Sequence, residues 1–314
     1  MQIPVYLFTG FMDSGKTSLI IETLVENDFG VGNTCLIIAC EDGDVEYDEE
    51  QLSKVGAMVV GVDDASKFTE EFLSACNIEF QPDMVFIEYN GTWPAAKLMD
   101  MKLPKDWEIL QQLATVDAST FTLFLTNMRQ MMMEQVKTAD VVIFNRCTED
   151  TPKSTFRRTI KAANRKAQIV YERADGTIDD NDQEELPYDI SQDFIDITDE
   201  DYGIFYLDVQ DDPKKYDGKK IHFLGYVYRP KNLGNKPMFV PGRFAMTCCV
   251  EDIQFIGFKC KYDKAPQIPH ESWVDLTAEI RVEFAKEYRG KGPVLYAKEV
   301  KAAKAPEEQL VYFT

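Results

Sequence analysis

The run Gly10-Phe11-Met12-Asp13-Ser14-Gly15-Lys16-Thr17 constrains this chain more than any other feature. It has the spacing GxxxxGK[ST] and lies between a strand-like apolar stretch at residues 4–9 and an amphipathic, helix-like stretch at 16–26. A strand that turns through glycines into a helix leaves the first N–H groups of that helix pointing into the turn, where they and the helix dipole attract phosphate. Gly10 and Gly15 let the backbone fold tightly enough for this. Lys16 brings charge to the β- and γ-phosphates, and Thr17 brings a hydroxyl to Mg²⁺. The expected nucleotide-binding residues are therefore Gly10, Asp13, Ser14, Gly15, Lys16, Thr17 and Ser18.

Further along, buried-strand runs at Thr34–Ala39, Met84–Glu88, Val141–Phe144 and Gln168–Tyr171 alternate with helix-like segments at 66–76, 94–100 and 128–138. This alternation predicts an α/β, doubly wound, mostly parallel sheet with helices on both faces. Such sheets bind ligands beyond the carboxyl ends of their strands. Glu88 ends one of these runs, with Asn90 and Gly91 just beyond it. A carboxylate there can hold Mg²⁺ or orient an attacking water, so Glu88 joins Lys16 as a candidate catalytic residue.

The pattern changes near residue 173. Between Asp175 and Asp201 there are 12 acidic residues and no Lys or Arg, which reads as a solvated linker. Beyond it, IHFLGYVYR, RFAMTCCV, IQFIGFKC, WVDLTAEIRVEF and PVLYAKEV are strand-like and separated by turn residues, which predicts a small, OB-like β-barrel. The expected organisation is a nucleotide-binding domain at 1–173, an acidic linker at 174–202 and a barrel at 203–314.

A formal net charge of -20 disfavours nucleic acid and anionic lipid as partners. No apolar run is long enough to cross a membrane, and the N-terminus has no signal-peptide pattern, so a cytoplasmic protein is expected. Seven cysteines, an odd number, then imply reduced thiols. Only Cys248 and Cys249 adjoin each other. With Cys260, Asp252 and His222 they are candidates for a thiolate-rich Zn²⁺ site; packing in the barrel is the alternative.

The P-loop resembles that of the CobW-type metal-related GTPases of the SIMIBI class. Cys40-Glu41-Asp42-Gly43 through Asp48 resembles the family's NExGxxxxD segment, and Phe86-Ile87-Glu88-Tyr89-Asn90-Gly91 its hhExxG. Asp117, Gln135 and Ala139-Asp140 follow in family order. The resemblance implies Mg²⁺ at Thr17 and Glu41, the γ-phosphate near Gly91 and the base near Asn145. Two departures stand out. Gly56–Val60 holds no cysteine where the family has its CxCC metal motif, and NKxD appears as Asn145-Arg146-Cys147-Thr148. The carboxylate that reads guanine is missing from its place, so GTP is favoured by resemblance, ATP stays open, and Glu149 or Asp150 are possible substitutes.

The C-terminal part resembles the C-terminal domain of YcgQ-type proteins, which accompany YcgR-type permeases. Arg243-Phe244-Ala245-Met246-Thr247-Cys248-Cys249 through Asp252 carries that resemblance. Together the two resemblances imply GTP binding and slow Mg²⁺-dependent hydrolysis in transition-metal homeostasis, with zinc as the candidate metal and a membrane permease or a metalloprotein client as partner. A nucleotide-gated scaffold without hydrolysis is the alternative. The sequence leaves the oligomeric state open.

Overall fold

A parallel strand covered by helices on both faces must be apolar at successive positions, not at alternate ones. Cys35–Ala39 meets that condition, with all five residues buried. In the computed structural model, which describes residues 2–27, 29–179, 186–230, 233–247 and 250–313, this strand lies inside a seven-stranded sheet. Its strands are β1 (Ile3–Thr9), β2 (Cys35–Ala39), β3 (Ala57–Gly61), β4 (Met84–Glu88), β5 (Trp107–Asp117), β6 (Val141–Cys147) and β7 (Gln168–Arg173). The order is β3-β2-β4-β1-β5-β6-β7, and every pairing is parallel.

The pleat sorts the apolar residues into two cores. Val5, Leu7, Leu36, Ile38, Val85 and Ile87 pack on one face. Phe8, Cys35, Ile37 and Phe86 pack on the other. Burying each Leu or Ile contributes about 1.5–3 kcal/mol relative to leaving it exposed. The helices are α1 (Lys16–Ile21, continued by a π-turn at Glu22–Glu26), α2 (Glu49–Lys54), α3 (Glu70–Phe80), α4 (Ala95–Asp100), α5 (Phe121–Asn127), α6 (Arg129–Val136) and α7 (Lys153–Ala163).

The sequence reading anticipated neither β3 nor β5. Glu108, Gln111 and Gln112 make β5 look polar, yet it is central, between β1 and β6. Gln112 is buried and hydrogen-bonded to the Thr9 hydroxyl, which lets a polar side chain sit in a core strand.

By its internal contacts the chain divides into Met1–Lys153 with Ala163–Asp182, and Ser154–Ala162 with Gln183–Thr314. The second unit holds nearly all of α7, together with β8 (Phe194–Asp196), α8 (Tyr202–Asp211), β9 (Lys220–Tyr228), β10 (Met238–Ala245), β11 (Gln254–Gly257), β12 (Cys260–Lys261), β13 (Trp273–Ala285), β14 (Gly290–Ala303) and β15 (Leu310–Val311). Strand β9 pairs with β10, β10 with β12, β12 with β14, β14 with β13, and β13 returns to β9. This ring is a five-stranded, OB-like barrel with one parallel contact, β12 to β14. Its core includes Phe223, Phe239, Phe258, Leu276, Ile280 and Leu295, with Tyr202 and Phe205 of α8 packed into it.

The acidic segment is not structureless throughout, because β8 pairs with β9 within it. Its residues 180–185 lie outside the described residues. Among the described residues no helix is long and apolar enough to cross a membrane.

Candidate functional site

The P-loop turn runs from β1 into α1. Gly10 and Gly15 have φ of 136° and 99°, and Asp13 sits at 57°. A Cβ on Gly10 would stand 2.3 Å from the Thr115 carbonyl, and one on Gly15 would stand 2.4 Å from Asn145 Nδ2, so both positions need glycine for conformation and for space. Helix α2 is capped by Asp48 and α3 by Thr69, whereas α1 follows Gly15 with no side-chain cap. Its first N–H groups therefore remain available to a ligand.

Lys16 is almost wholly buried and donates to the carbonyls of Gly10 (3.0 Å) and Phe11 (2.8 Å). Its ammonium is also ion-paired to Glu41, whose side chain is buried as well. The other Glu41 oxygen accepts from Gly91 N–H at 3.3 Å. Gly91 packs against the P-loop itself, since a Cβ there would meet the Gly10 carbonyl at 2.2 Å. Glu88, at the end of β4, accepts from the Thr17 hydroxyl and the Tyr47 hydroxyl, each at 2.6 Å. Burial raises the Glu88 carboxyl above its usual range, against the opposing pull of those two hydrogen bonds and of Lys16. Burial and the neighbouring Glu88 raise the Tyr47 phenol.

A second layer fixes these groups. The Ser14 hydroxyl meets that of Thr115 at 2.8 Å, and Asn145 Nδ2 donates to the Ser14 carbonyl at 2.7 Å. Buried Gln135 accepts from Gly10 N–H at 3.3 Å and donates to the Gly91 carbonyl at 3.0 Å, tying the two phosphate-facing turns together. Asp13 accepts from Asp44 N–H at 3.1 Å. Just past Gly91, Trp93 stands edge-on to Tyr89 at 5.6 Å and tilted over Phe68 at 6.2 Å.

One cleft is thus lined by Asp13, Gly15, Lys16, Thr17, Ser18, Glu41 and Glu88. Gly91 and Asn145 border it through the contacts above. Oxygen donors from Thr17, Glu88 and Glu41 face one another here, a donor set suited to a hard divalent cation such as Mg²⁺. Sequence reasoning gave no role to Tyr47, Thr115, Gln112 or Arg146. The polar Gln112 inside a strand was the one available signal.

The proposed zinc residues fare differently. Cys248 and Cys249 lie outside the described residues. Strand β10 ends at Ala245, short of them, so the strand expected through RFAMTCCV is cut before its cysteines. Cys260 is buried in the barrel core, where desolvation raises its thiol. His222 instead lies between Asp196 (2.6 Å) and Asp275 (3.2 Å). Among the described residues no cluster of three or more His, Cys, Asp or Glu is placed to hold a metal ion.

A glycine turn after the first strand of a parallel sheet, with a buried lysine and a strand-end carboxylate facing it, defines a P-loop nucleotide-binding domain, here joined to an OB-like barrel. The CobW/HypB/UreG nucleotide-binding domain matches residues 4–171, and the chain belongs to that family. Residues 174–313 match the DUF1980 C-terminal domain. The UPF0703 protein YcgQ of Bacillus subtilis (strain 168) is 23% identical over 118 residues, which are 38% of this chain and 41% of that protein. The chain thus spans about two fifths of that relative's length. Among solved structures, zinc-bound YjiA GTPase from E. coli is 16% identical, with a TM-score of 0.45 over 88% of this chain and 94% of that one. The hydrogenase maturation factor HypB from Archaeoglobus fulgidus is 16% identical, with a TM-score of 0.40 over 55% of this chain and 82% of that one.

Proposed function

We propose that the chain binds GTP with Mg²⁺ and hydrolyses it slowly, as a nucleotide-dependent switch. One observation carries this reading. The two donors aimed at the γ-phosphate position, the Lys16 ammonium and the Gly91 N–H, both hold the Glu41 carboxylate. Glu41 thus occupies an anion's place. An arriving γ-phosphate takes over both donors and releases Glu41, which then moves with its segment through Tyr47 and Asp48. Tyr47 is bonded to Glu88, so the same displacement acts on the strand-end carboxylate. Exchange of one anion for another keeps the buried ammonium paired throughout.

Thr17 and, once released, Glu41 would hold Mg²⁺, which would supply neutralising charge to the phosphate oxygens. Lys16 adds to that charge. Glu88 orients the attacking water and takes up its proton, a role its raised carboxyl suits. Turnover is slow because Arg146, the other cation lining the cleft among the described residues, is already paired with Asp117, so the neutralising charge a partner's arginine would bring is not supplied in this way. The family resemblance supports a role in transition-metal homeostasis in the cytoplasm, with zinc as the candidate metal. The barrel's likeness to YcgQ supports a permease or metalloprotein client as the recipient of the switch.

Calorimetric titration of the full chain with GTP, with and without Mg²⁺, tests this reading, followed by phosphate release. Saturable binding that Lys16→Ala abolishes is expected; equal affinity in both proteins removes the P-loop assignment.

A further inference from the structure

The base end of the cleft holds an acceptor that no motif supplies. The position of the missing guanine-reading aspartate is Thr148, and neither Glu149 nor Asp150 lines the cleft. Beyond the phosphate pocket lies a cavity of about 170 Å³. Asn145 at the end of β6, Glu172 at the end of β7, and Leu19 and Glu22 from α1 and its π-turn line it. It shares Gly15, Ser18 and Arg146 with the phosphate pocket. A nucleotide with its phosphates along the P-loop therefore extends its base toward Asn145 and Glu172.

The cations at this end already have partners. Arg146 is paired with Asp117 and donates to the Asp13 carbonyl at 3.0 Å. Arg173 gives Nε and Nη2 to Asp179 at 3.2 and 3.0 Å. The half-buried Glu172 carboxylate has neither a cation nor a hydrogen-bond donor among the described residues. Burial and the Glu22 carboxylate push it above its usual range. A partly desolvated carboxylate without a donor is unfavourable, and a ligand with two adjacent N–H groups relieves that cost. Asn145 Oδ1 is likewise buried without a partner on the same cavity.

We propose that Glu172 is the base-reading acceptor of this site, taking N1–H and N2–H of guanine in place of the aspartate absent at position 148. The proposal rests on the nucleotide-binding reading above. Guanine offers a carboxylate two neighbouring donors. Adenine in the same pose offers an unprotonated N1 and a C–H, and xanthine turns a carbonyl toward the carboxylate, so both are repelled. Glu172 is half-exposed, so discrimination should fall short of the ~10⁴-fold of a fully enclosed hydrogen-bonding site.

The test is a competition titration of the full chain with GTP, ITP, ATP and XTP. Wild type should prefer GTP over ITP, and both over ATP and XTP. Glu172→Gln exchanges an acceptor for an amide donor that matches the xanthine carbonyl. It should weaken GTP by about 10- to 100-fold and tighten XTP by about 10-fold, the scale of one hydrogen bond to a charged group. A gain for XTP cannot come from misfolding. Glu172→Ala should bring GTP and ATP to within about threefold of each other. An unchanged GTP-to-XTP ratio in Glu172→Gln, with Lys16→Ala still unable to bind, overturns the base assignment and leaves the P-loop reading intact. Absence of triphosphate binding in wild type overturns both.

Discussion

Among the described residues two cationic side chains are buried, Lys16 in the P-loop domain and Arg243 in the barrel. Both are ion-paired, Lys16 to Glu41 and Arg243 to Asp199. Their surroundings differ. Lys16 meets a carboxylate carried on an irregular segment and faces a cleft. Arg243 also donates to the Glu308 carbonyl at 2.9 Å and lies 5.2 Å from the Trp273 ring centre. The first charge can change partners, whereas the second is held from three sides. A buried cation marks a ligand site when its counter-ion can leave, and a structural tie when it cannot.

Mutating each cation sharpens that contrast. Lys16→Ala should weaken Mg–GTP by about 10³-fold, as expected when one partner of a desolvated charge pair is removed. It also strands Glu41, so its thermal midpoint should fall. Lys16→Ala combined with Glu41→Gln should restore the midpoint without restoring binding. Calorimetry and thermal melts read the two effects separately, and a double variant that binds GTP would erase the distinction.

Arg243→Met should destabilise the barrel by about 1.5–3 kcal/mol, the scale of hydrogen bonds from a charged group, because it removes the donor to the Glu308 carbonyl and the partner of the part-exposed Asp199. Lys16-dependent GTP affinity should stay within about twofold, since additivity holds for sites without shared partners. Denaturant unfolding followed by Trp273 emission measures the loss. A barrel as stable as wild type would make Arg243 a second exchangeable charge.

Glu88→Gln should slow phosphate release by about 10²-fold with a smaller change in affinity, the lower end of the usual contribution of one general base. The same change should raise stability at neutral pH. The folded Glu88 carboxyl lies above its unfolded value, so its stabilising contribution is complete below the unfolded pKa and is lost as pH rises through the folded one. Glutamine removes that neutral-pH cost. Single-turnover assays and melts on one sample test both halves.

The smallest effect belongs to His222. Burial alone would lower its imidazole, but hydrogen bonds to Asp196 and Asp275 raise it on balance. The contribution is full below the unfolded value and is lost as pH rises through the folded one. Amide exchange in β8, which carries Asp196, should quicken across that window in wild type and show no such step in His222→Gln.

How far the sequence reveals this molecule depends on the range of the interaction concerned. The P-loop is local: eight consecutive residues set its turn, and the structure places them as their spacing requires. The barrel strands were legible from alternation, since in β9 and β13 buried and half-buried positions alternate. Strand β5 was not, because the hydrogen bond that makes Gln112 acceptable comes from Thr9, 103 residues away in sequence. The Lys16–Glu41 pair and the exposure of Glu172 to the cavity beside Asn145 are equally invisible in one dimension. Both bring together distant segments that only the parallel sheet places at one edge.

Trp93 makes the turn after β4 its own optical reporter. The chain has three tryptophans, and the other two, Trp107 and Trp273, begin β5 and β13. With Trp107→Phe and Trp273→Phe as a quiet background, emission comes from an indole two residues from Gly91, stacked edge-on against Tyr89. Any ligand that draws Gly91 away from Glu41 moves that indole and changes its quenching by its neighbour. The switching step then becomes observable in a stopped-flow trace, without an attached dye and on its own timescale.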